Sequence, residues 1–398
     1  MNLFDKFTTF IADKEPLLAI KPEIFGTPIE KMYSPTEASI GGRRILLAGT
    51  NNYLGLTFAP ECLAAAHKAI DEEGTGTTGS RMANGNYTGH RELEREFAEF
   101  YGCKHAVVFS TGYQANLGTI SGLAGPADVL LIDAHCHASI YDGCRLSGAE
   151  IIRFRHNDTA DLEKRLRRLG DRTRSTLVIV EGIYSMLGDQ APLSAMVEVK
   201  KAHGAYMLID EAHSLGVLGA TGQGLVEAAG VTDQVDFITG TFSKSLGSIG
   251  GYCVSNHREL DIMRYLSRPY IFTASPSPSN IASARAALRL LKDGEHLRKR
   301  LWQNASRLYS CMQEQGYRLG PQVGPVISAQ LDTTEQALGL WTTLIERGIY
   351  VNLIFPPAAP HDKPLVRCSL SAAHTPEQIE FLCSTFTDLA NLARPLSQ

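Results

Sequence analysis

The chain has 398 residues, 44% of them apolar and 20% charged, with 36 Gly and 18 Pro. That balance excludes a disordered, collagen-like or coiled-coil chain. Lys plus Arg total 38 against 42 Asp plus Glu, a net charge of −4, so nothing draws the chain as a whole to nucleic acid.

Residues 1 to about 45 read as a helix, then an extended segment, then a Gly41-Gly42 turn into the strand-like RILLAG. Nothing in MNLFDKFTTFIADKEP resembles the apolar stretch of a signal peptide, and no run reaches the roughly 18 apolar residues of a membrane span. Apolar residues at helical spacing follow from Pro60 to Glu73, then a glycine-rich polar stretch, then a helix from Arg91 to Tyr101.

Seven β-branched, apolar runs come next, separated by helical segments: 105–110, 128–134, 150–154, 175–182, 205–213, 236–244 and 251–256. Strands alternating with helices predict a mostly parallel seven-stranded α/β sheet. Beyond Pro269 the pattern changes to one long helical stretch, about 280–315, and a smaller α+β region. QVGPVISAQL and LVRCSLSA are its strand candidates. Thr375 before Pro376 and Glu377 marks the start of a closing helix. The expected organisation is an N-terminal segment (1–45), a large domain (46–279) and a small C-terminal domain (280–398).

Gly74, Gly76 and Gly79 spell GxGxxG, but a dinucleotide fingerprint needs a strand before it and a helix on it. Here a helix precedes and a loop follows, so a flexible active-site loop is the expectation. The eight cysteines form no CxxC pair and read as reduced, buried thiols of a cytosolic protein. HCHASIYDGC (135–144) lacks a second ligand cluster at matching spacing, so no metal is expected. His137 is either a hydrogen-bonded core histidine or a group projecting into a cleft. The basic run RLRRLGDRTR (165–174) reads as a solvated helix end.

Three strand ends carry chemistry together. STGYQANLG (110–118) opens a helix with small residues, a natural phosphate seat. LIDEAHS (208–214) ends a strand with Asp210, Glu211 and His213, where open parallel sheets bind ligands. TGTFSKSLGSIGG (239–251) puts Lys244 among small hydroxyl residues at another strand end. Most lysines are solvated surface groups. A lysine combined with a phosphate turn and a strand-end acid describes a pyridoxal phosphate pocket.

With NNYLGL, GSRMANGN, HASIYDG, EGIYSMLGD, DEAHS, GTFSKSLGSIGG and VRCSLSAAHTPEQI, the sequence resembles the α-oxoamine synthases over about residues 34–390. FSTGYQANLG, RFRHN, YSMLGD and RPYIFTAS make it most similar, within that family, to the soluble bacterial serine palmitoyltransferases. The resemblance implies an aspartate-aminotransferase-like fold. It also implies decarboxylative condensation of L-serine with a long-chain acyl-CoA, giving 3-ketosphinganine, CoA and CO2. By the same resemblance Lys244 is the Schiff-base lysine, Asp210 the partner of the pyridine nitrogen, and His213 the partner of the ring hydroxyl with Ser185 nearby. His137 stacks on the ring. Gly112, Tyr113, Thr241 and Ser243 hold the phosphate, and Thr273 reaches a neighbour's phosphate in a homodimer with shared sites. Arg367 binds the substrate carboxylate with Asn52 close by. The implied location is cytoplasmic, with contact at the inner membrane left open.

One residue departs from those relatives, which carry an Arg directly before the Pro-Pro pair. This chain has Phe355 before Pro356-Pro357. A sister condensation using glycine or alanine and another acyl-CoA is the first alternative. An inactive partner subunit is a second, although such subunits usually lack the lysine. A binding protein sharing only the fold is a third.

Overall fold

A computed structural model describes residues 26–393, together with 2–8, 11, 12, 15 and 24. Of the N-terminal helix read from the sequence, residues 6–8, 11, 12 and 15 are helical, and its other positions lie outside the described residues.

The chain enters through β1 (Lys31–Ser34), β2 (Glu37–Ile40) and β3 (Arg43–Leu47), an antiparallel meander. Helices α1 (Pro60–Glu73) and α2 (Thr88–Tyr101) follow, the second starting three residues before Arg91. The segment between them, holding Gly74, Gly76 and Gly79, is loop.

All seven expected strands form: β4 (His105–Phe109), β5 (Val129–Asp133), β6 (Glu150–Phe154), β7 (Thr176–Glu181), β8 (Tyr206–Asp210), β9 (Phe237–Thr241) and β10 (Gly251–Ser255). They make one sheet in the order β4-β10-β9-β8-β7-β5-β6, with only β10 antiparallel to its neighbours. Four of the connections between consecutive strands carry a helix of ten residues or more: α3 (Gly112–Leu123), α4 (Ala138–Ser147), α5 (Thr159–Leu169) and α6 (Leu193–His203).

The near-continuous apolar character of the strands has a simple cause. In a pleated strand successive side chains point to opposite faces, and both faces of this sheet are covered. Val107, Leu130, Ile132, Ile179 and Leu208 enter one apolar cluster. Their neighbours Val108, Leu131, Val180, Met207 and Ile209 enter the other. An alternating polar pattern would leave one of these layers without a core.

The stretch read as a single helix over 280–315 is two, α7 (Pro278–Lys292) and α8 (Glu295–Glu314), broken at Asp293-Gly294. The apolar spacing continues across the break, which hides it. Gly294 is a poor helix former and a natural place to interrupt the run. Then come β11 (Val326–Gln330), α9 (Thr334–Glu346), β12 (Ile349–Tyr350), β13 (Asn352–Ile354), β14 (Leu365–Ser369) and α10 (Pro376–Asp388). The start of α10 is a capping box in which Thr375 and Gln378 bond each other's backbone. Strand β12 pairs in parallel with β3, so the meander and the C-terminal region share a sheet. This pairing carries the segment 49–57 beside β14 and brings Tyr53 to His213, just past the carboxyl end of β8.

Candidate active site

The carboxyl ends of β5, β7, β8 and β9 deliver Asp133, Glu181, Asp210 and Thr241 to one edge of the sheet. Glu181 and Asp210 are register partners, so two buried acids stand side by side. Between these strand ends and the start of α3 lies a cavity of about 300 Å3. Its lining includes Gly112, Tyr113, His137, Asp210, His213, Thr241, Ser243 and Lys244.

Asp210 is held by two donors. Asn116 Nδ2, on α3, donates to its Oδ2 at 2.7 Å, and the Ala212 N–H donates to its Oδ1 at 2.8 Å. Asn116 is itself oriented by Thr239 Oγ1, which donates to its Oδ1 at 2.8 Å. Glu181 accepts the His137 N–H, while burial and the adjacent Asp210 push its carboxyl well above the usual range. Burial pulls Lys244 down to about 8, against the attraction of Asp210 and Glu181, and Arg367 adds to the depression. A lysine so placed has a substantial neutral fraction near neutral pH.

His137 caps α4. The Ser139 N–H donates to its Nδ1 at 3.2 Å, so Nδ1 is bare and the ring proton of the neutral form sits on Nε2. Burial lowers its pKa further. His213 is buried at the cavity wall and kept neutral by that burial beside Lys244 and Arg367, with Tyr53 Oη 2.7 Å from its Nδ1.

The expected phosphate seat has the right construction. Thr111 caps α3 by accepting the Gln114 N–H at 3.0 Å, which leaves the Gly112 and Tyr113 amides at the cavity wall. Gly112 is required by contact, because a Cβ there would sit 2.6 Å from Thr241 Cβ. The Thr241 and Ser243 hydroxyls are 2.9 Å apart. Thr273 Oγ1 accepts from Gln114 Nε2 of its own chain at 3.0 Å, beside this seat.

Arg367, on β14, is buried, and among the described residues no carboxylate pairs with it. Its Nη2 donates to Asn51 Oδ1 at 3.2 Å, and its Nε has no hydrogen-bond partner. Asn52, the residue expected near the carboxylate, donates from Nδ2 to Thr57 at 2.8 Å and leaves its Oδ1 buried and unpartnered. Ser185 lines a neighbouring cavity of about 550 Å3, which shares His137 as a wall. Phe355 is buried.

Sequence reasoning singled out neither Glu181, Asn116 nor Tyr53. All three sit inside quoted motifs, but their partners Asp210, Thr239 and His213 are distant in sequence.

The donor set fits pyridoxal phosphate. A depressed lysine, a clamped carboxylate, a neutral histidine and a helix start pared down to glycine surround one cavity of cofactor size. The sequence profile of aminotransferase class I and II matches residues 43–386. A serine palmitoyltransferase of Caulobacter vibrioides is 53% identical over 98% of this chain and 96% of its own.

The chain belongs to the serine palmitoyltransferase branch of the aminotransferase class I and II family.

The solved Sphingomonas wittichii serine palmitoyltransferase superposes on it with a TM-score of 0.95 at 49% identity, covering 99% of each chain. A second serine palmitoyltransferase structure, holding pyridoxal phosphate as its internal aldimine, has a TM-score of 0.95 at 46% identity over 99% of each chain. The family fold thus extends across essentially the whole chain. Among the described residues no helix is long and apolar enough to cross a membrane.

Proposed function

We propose that this chain is a pyridoxal-phosphate-dependent acyltransferase that condenses L-serine with a long-chain acyl-CoA, palmitoyl-CoA above all. The products are 3-ketosphinganine, CoA and CO2. The observation that carries the amino-acid half is Arg367, a buried guanidinium with no carboxylate partner among the described residues. A buried unpaired charge is costly, and a substrate carboxylate relieves it as a charge-assisted pair.

Bound in the cavity, the cofactor supplies an electron sink for the carbanion formed at Cα of the amino acid. Lys244 Nζ would hold its aldehyde carbon and, once displaced by the amino acid, take the Cα proton. A pKa of about 8 suits that work, because both protonation states are accessible near neutrality. Asp210 would keep a proton on the ring nitrogen, and the Asn116 and Ala212 bonds fix its carboxylate for that contact. His213 would bond the ring hydroxyl while Tyr53 holds its other nitrogen. His137 would lie over the ring, with its Nε2 proton available to the substrate. Gly112, Tyr113, Thr241 and Ser243 would receive the phosphate.

The working unit would be a homodimer with shared sites. Ile249, at the cavity rim, is 54% exposed and Phe272, next to Thr273, is 71% exposed. Apolar groups at a site mouth favour cover by a second copy. Thr273 would exchange its Gln114 bond for the partner's phosphate. Eight free thiols, seven of them buried, suit a cytoplasmic location.

The test is CoA release by the purified holoprotein across a grid of amino acids and acyl-CoAs. L-Serine with palmitoyl-CoA should be fastest. Faster turnover of glycine with acetyl-CoA, or of alanine with pimeloyl-CoA, would move the chain to a sister condensation. Borohydride followed by peptide mapping should label Lys244, and label on another lysine overturns its role.

A further inference from the structure

Outside the cofactor cavity, His156 stands between two acids. Its Nδ1 lies 2.8 Å from Asp133 Oδ1 and its Nε2 lies 2.5 Å from Asp189 Oδ2. Carboxylates only accept, so both ring nitrogens donate and the ring is an imidazolium. Burial opposes that charge, but the two carboxylate bonds outweigh it and raise the group to about 9. The ring is also fixed in orientation. His135 stacks on it with centroids 4.0 Å apart, and Tyr184 meets it edge-on at 4.5 Å.

The two acids belong to two different parts of the site. Asp133 ends β5 and also accepts the His135 N–H at 2.8 Å, two residues before His137. Asp189 closes the turn that carries Ser185, where its carbonyl accepts the Tyr184 N–H at 2.8 Å. Both segments wall the 550 Å3 cavity beside the cofactor cavity, and among the described residues Asp133 and Asp189 are bridged through His156 and its neighbour Asn157.

We propose that His156 is a positioning residue of the catalytic site, which through Asp133 and Asp189 sets the spacing between the segment bearing His137 and the turn bearing Ser185. The inference rests on the proposed reading of the cofactor site. The imidazolium acts as a two-armed brace. Each arm is a charge-assisted bond, and the stacked rings prevent it from swinging.

The experiment is a double-mutant cycle on holoprotein, comparing His156→Asn in the native and His137→Ala backgrounds. One readout is visible circular dichroism of the bound cofactor, which reports its asymmetric seating. The other is kcat for CoA release. In the native background His156→Asn should lower the dichroic amplitude at least about twofold and kcat at least about tenfold, with KM for serine little changed. In the His137→Ala background the same change should add less than about twofold to either loss, because residues acting as a unit are non-additive. Equal losses in both backgrounds overturn the proposal, as does a lower melting temperature with unchanged dichroism and kcat. If His156→Asn does not fold, Asp189→Asn keeps the shape, removes one arm's charge and is read by the same cycle. The dichroism arm needs no condensation. Absence of CoA release by the native protein would defeat the proposed reaction while the cycle still decides the role of His156.

Discussion

Arg367 Nη2 lies 3.2 Å from Asn51 Oδ1, so the buried guanidinium on β14 leans on a neutral amide from the segment after β3. The same amide oxygen is 3.3 Å from Ser369 Oγ, which donates to it. Asn51 thereby orients the cation without neutralising it. Burial depresses Arg367 below its ordinary value, the sign expected of a charge short of a counterion.

Removing that cation should disarm substrate binding and spare the cofactor. Losing a charged partner that leaves its mate buried and unpaired costs about 2–5 kcal/mol. Arg367→Ala should therefore weaken L-serine binding severely, as read by titrating the visible spectrum of the holoprotein. Phe355→Arg in that variant should recover part of the loss by supplying a replacement cation in the same region. Unchanged serine affinity in Arg367→Ala would mean that another group holds the carboxylate.

Asp210→Asn should keep its bound cofactor and lose turnover. The amide is neutral, and its NH2 group would face either Asn116 Nδ2 or the Ala212 N–H, both donors. Loss of a preorganised charge at a reacting centre costs on the order of a hundredfold or more in rate. Steady-state CoA release measures it, and near-normal kcat would refute the role.

Gly112→Ala tests the phosphate seat by crowding alone. The new methyl would lie 2.6 Å from Thr241 Cβ and 2.7 Å from its Oγ1. Overpacking of this kind costs about 1–3 kcal/mol. Cofactor affinity should fall by about tenfold or more, measured by dialysis and retitration. Gly339→Ala, at an exposed position of helix α9 where nothing lies within 4 Å of the new methyl, is the control and should leave the affinity unchanged.

The His156 brace predicts a pH-dependent stability. The folded ring titrates at about 9, above the ordinary 6.5, so the folded state binds that proton more tightly than the unfolded chain. Its contribution is complete below about pH 6.5 and is lost as pH rises through about 9. The melting-temperature gap between the native protein and His156→Asn should shrink between about pH 6 and pH 10. A constant gap across that range would show that the ring is not charged in the folded state.

Each strand of the large sheet was legible from local pattern, because a strand buried on both faces must be apolar at successive positions. Leu130, Leu131 and Ile132 feed opposite clusters and so leave no polar gap. Lys244, Asp210 and the Gly112 turn were legible for a related reason. Strand-end chemistry sits in short, glycine- and hydroxyl-rich segments that stand out against those apolar runs. The break at Asp293-Gly294 was not legible, since apolar spacing runs through it.

What the sequence by itself determined was the α/β class, the strand ends and the residue types gathered there. Tertiary structure alone decided which of them meet. Parallel pairing of β7 with β8 puts Glu181 beside Asp210, 29 positions along the chain. Pairing of β12 with β3 carries the segment of Asn51, Asn52 and Tyr53 to Arg367 and His213, more than 150 residues away. The physical reason is that hydrogen-bonded sheet register and packing join residues by distance in space, and no local periodicity records that distance.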